Sequence, residues 1–456
     1  MLIRYCTRFL FSISLVVLGW GMALAAQPQS YLLPQAGYQS GSITSGLGWT
    51  QHSGDHFVSM DVGTVVNLRA FRVGLHVPLN LRVHDGGVAD DGIVRKEDWD
   101  EVSDWFRVIR FIEVGSPYTG PYYGRYGELV AATMGHGTIV DGYYNTLDPD
   151  HYQGGIQFRL DLRKYGAEFL IDNLAGPEII GLRTFVRPLQ FGNPRTDILG
   201  RTAVGLTVVS DLNAPRTLEI NPDGSVVQND VGLPQASRES TTFLGLDMEM
   251  PLVSTQEFHV IPYLDINGHI GQGAGGHLGL RNIWLPSTVF ELTFRLEYQL
   301  LGEGYIPSYI NNLYEVERFQ YLGSQTKLSV LEDQTPQSAN GVMVELGSKI
   351  FDALHVRGRY MASERNQDDA VWLQATMPYL GKVRASATYI KRNAASLGEV
   401  FDLDGALLVG DVRYRVFGAL ALQVLFAREW RTSQESGTAF DTVDTWQAGL
   451  VADFTL

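Results

Sequence analysis

With 456 residues, 45 % hydrophobic content and a mean hydropathy of -0.04, the chain is long enough for two or three soluble domains or for one large closed sheet. Its formal charge of -15 argues against nucleic acid as a partner, because phosphate demands a basic surface. Its single cysteine, Cys6, stands near the start, so nothing downstream forms a disulfide or a thiolate metal site.

The first element is an export signal. Arg4 and Arg8 supply a basic start, residues 9–18 an apolar run, and Ala23-Leu24-Ala25 the small residues of a cleavage site. Residues 1–25 are therefore expected to be removed, leaving 26–456 as a single domain. The alternative, a retained anchor, needs an apolar run of ~20 residues, and this one is shorter. No later segment has the length of a spanning helix either, so membrane insertion here means a β-barrel.

The elements that follow are two-sided ribbons. Successive side chains of a strand point to opposite faces, so a strict alternation of apolar and polar residues gives one oily and one charged side. Between 71 and 83, Phe71, Val73, Leu75, Val77, Leu79, Leu81 and Val83 oppose Arg72, His76, Asn80 and Arg82. In 156–163, Ile156, Phe158, Leu160 and Leu162 oppose Gln157, Arg159, Asp161 and Arg163. The clearest case is 289–300, where Phe290, Leu292, Phe294, Leu296, Tyr298 and Leu300 oppose Glu291, Thr293, Arg295, Glu297 and Gln299. Similar ribbons fall at 241–252, 258–270, 354–362, 370–379, 383–391, 408–417 and 420–430.

Their connections alternate in length. Those at 67–69, 163–166, 253–257, 351–352, 380–382 and 417–418 are short, whereas 84–104, 136–153, 211–240, 305–339, 392–403 and 431–442 are long. The stretches 115–125 and 189–197 fit the rhythm poorly. Residues 319–331 resemble a strand but would break it, so they are assigned to the loop 305–339, which narrows the barrel from outside. In 97–107, Trp99, Val102 and Phe106 recur at helical spacing behind an acidic start, which predicts a short amphipathic helix over or inside the barrel mouth. The prediction is an all-β, transmembrane, antiparallel up-and-down β-barrel of about eighteen strands, within a range of roughly sixteen to twenty, with long extracellular loops. A soluble β-sandwich is the competing fold, but sandwich connections do not alternate short and long over so many strands.

The chain ends on the same pattern, with Trp446, Ala448, Leu450, Ala452, Phe454 and Leu456 on one parity. In this final amphipathic strand the sequence resembles the Gram-negative outer-membrane β-barrel proteins, and the pattern extends over the whole region after the signal. Phe454-Thr455-Leu456 matches their aromatic ending only in part. The resemblance implies a bacterial outer membrane location, outer-membrane lipid, lipopolysaccharide and the barrel-insertion machinery as partners, and a porin-like channel for small polar or anionic solutes. Self-association into a homo-oligomer is compatible with it, and no cofactor is implied.

The inward parity carries the candidate pore-lining residues: Arg72, Arg82, Arg159, Asp161, Arg163, Glu291, Arg295, Glu297, Arg357, Arg359, Arg384, Asp411, Arg413 and Arg415. Rings of charge in a pore sort solutes, and this set has a basic bias. The competing reading is that Arg and acid pair across neighbouring strands and brace or plug the wall. Glu291, Arg295 and Glu297 are expected to point into the lumen beside Arg357 and Arg413.

Other constellations are weaker. Gly135-His136-Gly137 suggests either a strand bending into a loop or a general base acting with Asp141 or Thr138, the latter as part of a lipid-directed barrel enzyme. His52, Asp55 and His56, or Asp148, Asp150 and His151, offer metal-ligand types without a third ligand at fixed spacing. The acidic stretch 85–104 lacks the EF-hand spacing for calcium and reads as a solvated loop. Tyr118, Tyr122, Tyr123, Tyr126, Tyr143, Tyr144 and Tyr152 suit an interfacial belt or, alternatively, sugar stacking. A surface-display or adhesion scaffold, in which the outer loops matter and the lumen does not, is the third functional alternative.

Overall fold

The computed structural model describes residues 42–455, apart from 53–54, 69–70, 85–91, 95–98, 100–107, 116–119, 147–152, 193–196, 366–368, 434–436 and single positions or pairs in other turns. The export signal, the 97–107 helix and the Asp148, Asp150 and His151 group lie outside the described residues.

Twenty-one strands form one antiparallel sheet, from β1 (Ser42–His52) to β21 (Phe440–Thr455). Each strand pairs with its sequence neighbour, the up-and-down order that the ribbons require. β10 (Ala236–Glu249) and the two-residue β11 (Val253–Ser254) both pair with β12 (Phe258–His269), so they form one interrupted stave and the sheet has twenty. β1 also pairs with β21, from Ser42 opposite Thr455 to Leu47 opposite Leu450, which joins the two ends and leaves no free edge. Twenty staves lie at the upper end of the expected range of sixteen to twenty.

Burial settles which parity faces outward. Along β14 (Phe290–Leu301), Leu296, Tyr298 and Leu300 are 43–57 % exposed while Arg295, Glu297 and Glu345 opposite are under 10 %. An apolar exterior around a buried charged interior is the inverse of a soluble sandwich and fits a chain solvated by lipid. Phe71, Tyr165, Phe258, Trp284 and Tyr414 lie exposed near the short-turn ends of their strands, as an interfacial aromatic belt does.

Two boundary expectations change and a third holds. The stretch 211–240 is not all loop, because β9 (Ala203–Leu218) and β10 extend into it from both sides and leave only 219–235 between them. Residues 122–125 belong to β5 (Tyr122–Gly127), so its connection to β4 (Ile109–Gly115) is short after all. The connection containing 189–197 is long in fact, and carries a turn of 3-10 helix at Pro188–Gln190 and one of α-helix at Ile198–Arg201.

The largest correction concerns 305–339. This loop leaves the long-connection end of β14 and folds into the barrel. Tyr305, Ile306, Tyr309, Ile310, Tyr314, Val330 and Leu331 are all at most 2 % exposed. All of these but Tyr305 pack against Leu129, Met134, Ile139, Val140 and Tyr143 from the loop after β5, and against Leu170, Ile179, Val209 and Phe243 of the wall. β5 turns inward at Gly127, where φ is +105° and a Cβ would meet the Arg110 carbonyl oxygen at 2.3 Å, so only glycine makes the bend.

Candidate functional site

The two in-folded segments, 128–146 and 302–338, form a single plug. The Asp141 amide donates to the Ile310 carbonyl at 2.9 Å, the Ile310 amide to Ile139 at 3.0 Å, and the Ser308 amide to Thr138 at 2.9 Å. These bonds make a parallel bridge at Val140 and Ile310 and satisfy backbone that would otherwise be buried without partners. Burial on β14 rises from half-buried Glu291 to Glu297 and Gln299 at 1 %, so the plug occupies the long-loop half of the lumen.

Several ionic contacts fasten it to the wall, three of them centred on Arg318, Lys327 and Asp141. In the first, Arg318 reaches Asp211 of β9 at 3.0 Å and Glu178 at 2.6 Å, with Glu315 at 3.5 Å. Tyr314 donates to Asp211 and Tyr143 to Glu315. Burial pushes the Glu315 carboxyl up to about 7, against the opposing effect of Arg318 and the Tyr143 hydroxyl. Burial likewise raises Asp172, at the end of β7 (Tyr165–Ile171), to about 6 despite bonds from the Ile179 and Glu178 amides.

In the second contact, Lys327 is fully buried against Glu317, which also takes Arg392 of β18 (Val383–Ala394) at 3.1 Å. The Lys327 ammonium lies 4.8–5.5 Å from the ring centres of Tyr309, Tyr314 and Tyr321, within cation-π range. Burial alone would raise Glu317; Lys327 and Arg392 outweigh it and hold the carboxyl below its ordinary range.

The third contact joins Asp141 of the plug to Arg359 of β16 (Leu354–Ser363) at 2.8 Å and to Arg295 of β14 at 3.4 Å. Both arginines have wall partners too. Arg359 pairs with Glu345 of β15 (Ala339–Ile350) at 2.5 Å, where Arg357 also bonds at 2.6 Å, and Arg295 pairs with Glu297 at 2.8 Å. Beside this contact lies a crevice with room for one water-sized molecule, about 20 Å³, lined by Asp141, Ser308, Asn311, Gln299, Arg359 and Trp372 among others.

The candidate residues named from sequence separate into groups. Arg295, Glu297, Arg357 and Arg359 come together here with Glu345. Arg413 does not join them; it pairs with Asp411 at 3.3 Å on β19 (Leu407–Phe417), with Arg384 buried on the adjacent β18. Arg72 pairs with Glu113 on the neighbouring β4, and Asp161 with Arg187 at 2.7 Å. Arg159 donates to the Gly120 carbonyl, and Arg163 is exposed on the turn after β6 (Gly155–Asp161), where it reaches Gln190. Arg82, Glu291 and Arg415 are half-buried. Pairing across strands therefore absorbs much of the basic bias.

His136 lies on the plug at 2 % exposure, stacked on Tyr263 at 4.1 Å and facing Asp247 at 3.7 Å and Arg281 at 3.3 Å. The expected partnerships do not form: Asp141 turns to the arginines, and the Thr138 hydroxyl donates to Asp265 at 2.5 Å. This places the imidazole inside the lumen, away from lipid. The tyrosines divide as well, with Tyr143 and Tyr144 inside the plug, Tyr123 facing inward and Tyr122 exposed. Among the described residues no group of three or more His, Cys, Asp or Glu could hold a metal ion.

Sequence reasoning passed over Asp211, Arg318, Glu315, Glu317 and Lys327, the residues that seat the plug. The signal available was the glycine spacing. Gly137 has φ +81°, and a Cβ there would lie 2.8–3.0 Å from the Asp141 carboxylate, so the glycine makes the room that Asp141 occupies.

No family model matches the chain, and no curated protein sequence matches it. Solved structures with which it superposes include Wzi of Escherichia coli, described as a carbohydrate-binding β-barrel involved in group 1 capsule assembly. That match has a TM-score of 0.33 and 10 % identity, and covers 91 % of this chain and 84 % of that one. The siderophore receptor PirA of Pseudomonas aeruginosa has a TM-score of 0.34 and 9 % identity over 91 % and 80 %. OmpT, an outer membrane protein of Vibrio cholerae, has 0.27 and 10 % over 91 % and 98 %. The closed up-and-down sheet, apolar exterior and charged interior make this chain a transmembrane β-barrel.

Proposed function

We propose that the protein is a selective outer-membrane channel, closed at rest by its plug, that passes small polar and preferentially anionic solutes along the seam between the plug and the wall of β14 to β18. The polar crevice on that seam carries the reading. Elsewhere apolar packing around Leu170, Ile179, Val209 and Phe243 and the buried ion pairs of Arg318 and Glu317 hold the plug to the wall, whereas here amides, a hydroxyl, Arg359 and Arg392 face one another beside Met343, Met361 and Trp372. Polar surfaces part with little loss because water replaces their bonds; apolar surfaces do not. The resting crevice admits only water, so a solute passes when the plug shifts.

Single-channel recording in planar bilayers tests this. The whole protein is expected to show rare, small, anion-favouring openings. A variant with 306–334 replaced by a short Gly-Ser turn is expected to conduct continuously. If that variant folds, judged by heat-modifiable gel mobility, and conducts no more than the whole protein, the channel reading fails. The dense packing around Val140 and Ile310 favours one rival, a barrel that never opens and serves as a binding or display scaffold. A silent whole protein beside a conducting deletion variant would support that rival.

A further inference from the structure

We propose that Asp141 is a built-in stand-in for the carboxylate of the solute, and that a small hydroxylated carboxylate of the sugar-acid kind opens the seam by replacing it on Arg359 and Arg295. This rests on the channel reading and names its substrate class and its gate.

Asp141 is the one charged plug residue on the crevice; its plug neighbours there, Ser308, Asn311 and Asn312, are neutral. Its backbone is fixed by the bond to Ile310, and its carboxylate is seated against Gly137. The two guanidinium groups it meets are held from behind by Glu345 and Glu297 on the wall. They keep their positions when Asp141 leaves, which is the preorganisation that carboxylate recognition needs. Exchange of one carboxylate for another conserves the buried charge, so it avoids the cost of stripping a counter-ion from buried arginines. A neutral sugar offers no such exchange.

The surroundings specify the rest of the molecule. The Gln299 side-chain oxygen is buried without a hydrogen-bond partner in a residue 1 % exposed, and the Asn312 side-chain oxygen is likewise buried and unpaired. Two acceptors without donors call for hydroxyl groups. Trp372, 8 % exposed, closes the crevice with a flat apolar ring, and Arg357 and Arg359 lie 5.3 and 6.0 Å from its centre. A carboxylate, hydroxyls and a compact ring or chain with an apolar face meet all three demands. Such a solute exceeds the space at rest, so its binding and the withdrawal of the Asp141 segment are one event.

The test uses glucuronate as probe, with glucose as its neutral counterpart and chloride as a bare anion, on the detergent-folded full chain. Asp141→Asn removes the competing charge and is expected to bind glucuronate tighter than the parent by about tenfold or more, with no gain for glucose. Adding Arg359→Met should cancel the gain. In the parent, glucuronate and not glucose should speed hydrogen exchange at the Asp141 and Ile310 amides, a readout that needs no variant. Equal affinity of parent and Asp141→Asn, equal response to glucose, or exchange unchanged by glucuronate would each overturn the proposal. Conductance separates it from the reading beneath it. Tighter glucuronate binding in a barrel that never conducts leaves Asp141 as a mimic and removes the channel; conduction without differential binding does the reverse.

Discussion

Arg318 is the residue on which the plug's seating turns, and Arg318→Met isolates its charge while keeping most of its bulk. The side chain is 2 % exposed, and its loss strands Asp211 at 0 %, Glu315 at 8 % and the partly exposed Glu178 without their shared cation. Breaking a buried ion pair from one side costs about 3–5 kcal/mol, because the partner stays buried and uncompensated. None of these bonds belongs to the barrel ladder, so the loss falls on docking of the plug, shifting that equilibrium by about a hundredfold to a few thousandfold. Glu315 limits the damage at low pH, since it already titrates near 7 and takes up a proton when its cation is gone. Hydrogen exchange at Val316 to Gln320, read at pH 5 and pH 8, measures the effect. Exchange should accelerate in the variant at both values and more at pH 8, with heat-modifiable mobility unchanged. Amides as protected as in the parent at pH 8 would refute the argument that charge, and not the surrounding apolar packing, holds the plug.

Three further outcomes follow from the same geometry. Glu315 has its docked value raised above the ordinary 4.5 to about 7, so the docked plug binds more protons between those values. Docking is then strongest below pH 4.5 and loses up to about 3 kcal/mol as pH rises through 7, with Asp172 acting in the same direction. Glu315→Gln should flatten the rise of conductance between pH 5 and 8, and an unchanged profile would remove Glu315 as its source. Gly279→Val should cost roughly 1–3 kcal/mol, because a Cβ there would lie 2.0 Å from the Tyr263 ring that stacks on His136; thermal melting of the folded barrel measures it. Asn145→Ala should free the first plug segment, since this fully buried amide accepts from Leu129 at 2.8 Å and donates to Asp172 at 2.7 Å and Gln153 at 2.9 Å. Each group left unpaired costs about 1–3 kcal/mol, and proteolysis within 128–146 reports the release.

The wall was legible because a strand between lipid and lumen must alternate, and 290–300 does so without exception. β9 shows where legibility ends. Asp211, Asn213, Pro215 and Arg216 have the composition of a loop, yet they continue the strand, with register shifts near Arg238 and Glu239 that accommodate Pro215. The plug was hidden for a different reason. Its residues are buried on all sides, so they obey no period, and an apolar run such as 305–310 looks the same under a barrel wall as in an outer loop. Lys327 is a case in point, a lysine in a polar stretch of sequence that becomes fully buried only because three tyrosines and Glu317 gather around it. The candidate list named wall arginines together with Glu297 and Asp411, the acids of Arg295 and Arg413, but passed over Glu113, the partner of Arg72, because pairing depends on which strands stand side by side.

The bridge between Val140 and Ile310 bears on how the molecule is made. Its halves belong to loops separated in the chain by β6 to β14, and drawing such distant points together costs about 4–5 kcal/mol of chain entropy by the logarithmic loop law, before any contact repays it. A nascent chain that has produced β5 to β13 therefore carries Leu129, Ile139, Val140 and Tyr143 with no second half to cover them. Those side chains form an adhesive apolar face until the loop after β14 arrives to cover them. A truncation ending before β14 should accumulate bound to periplasmic chaperones, whereas one that spares both loops and trims a later extracellular turn should insert.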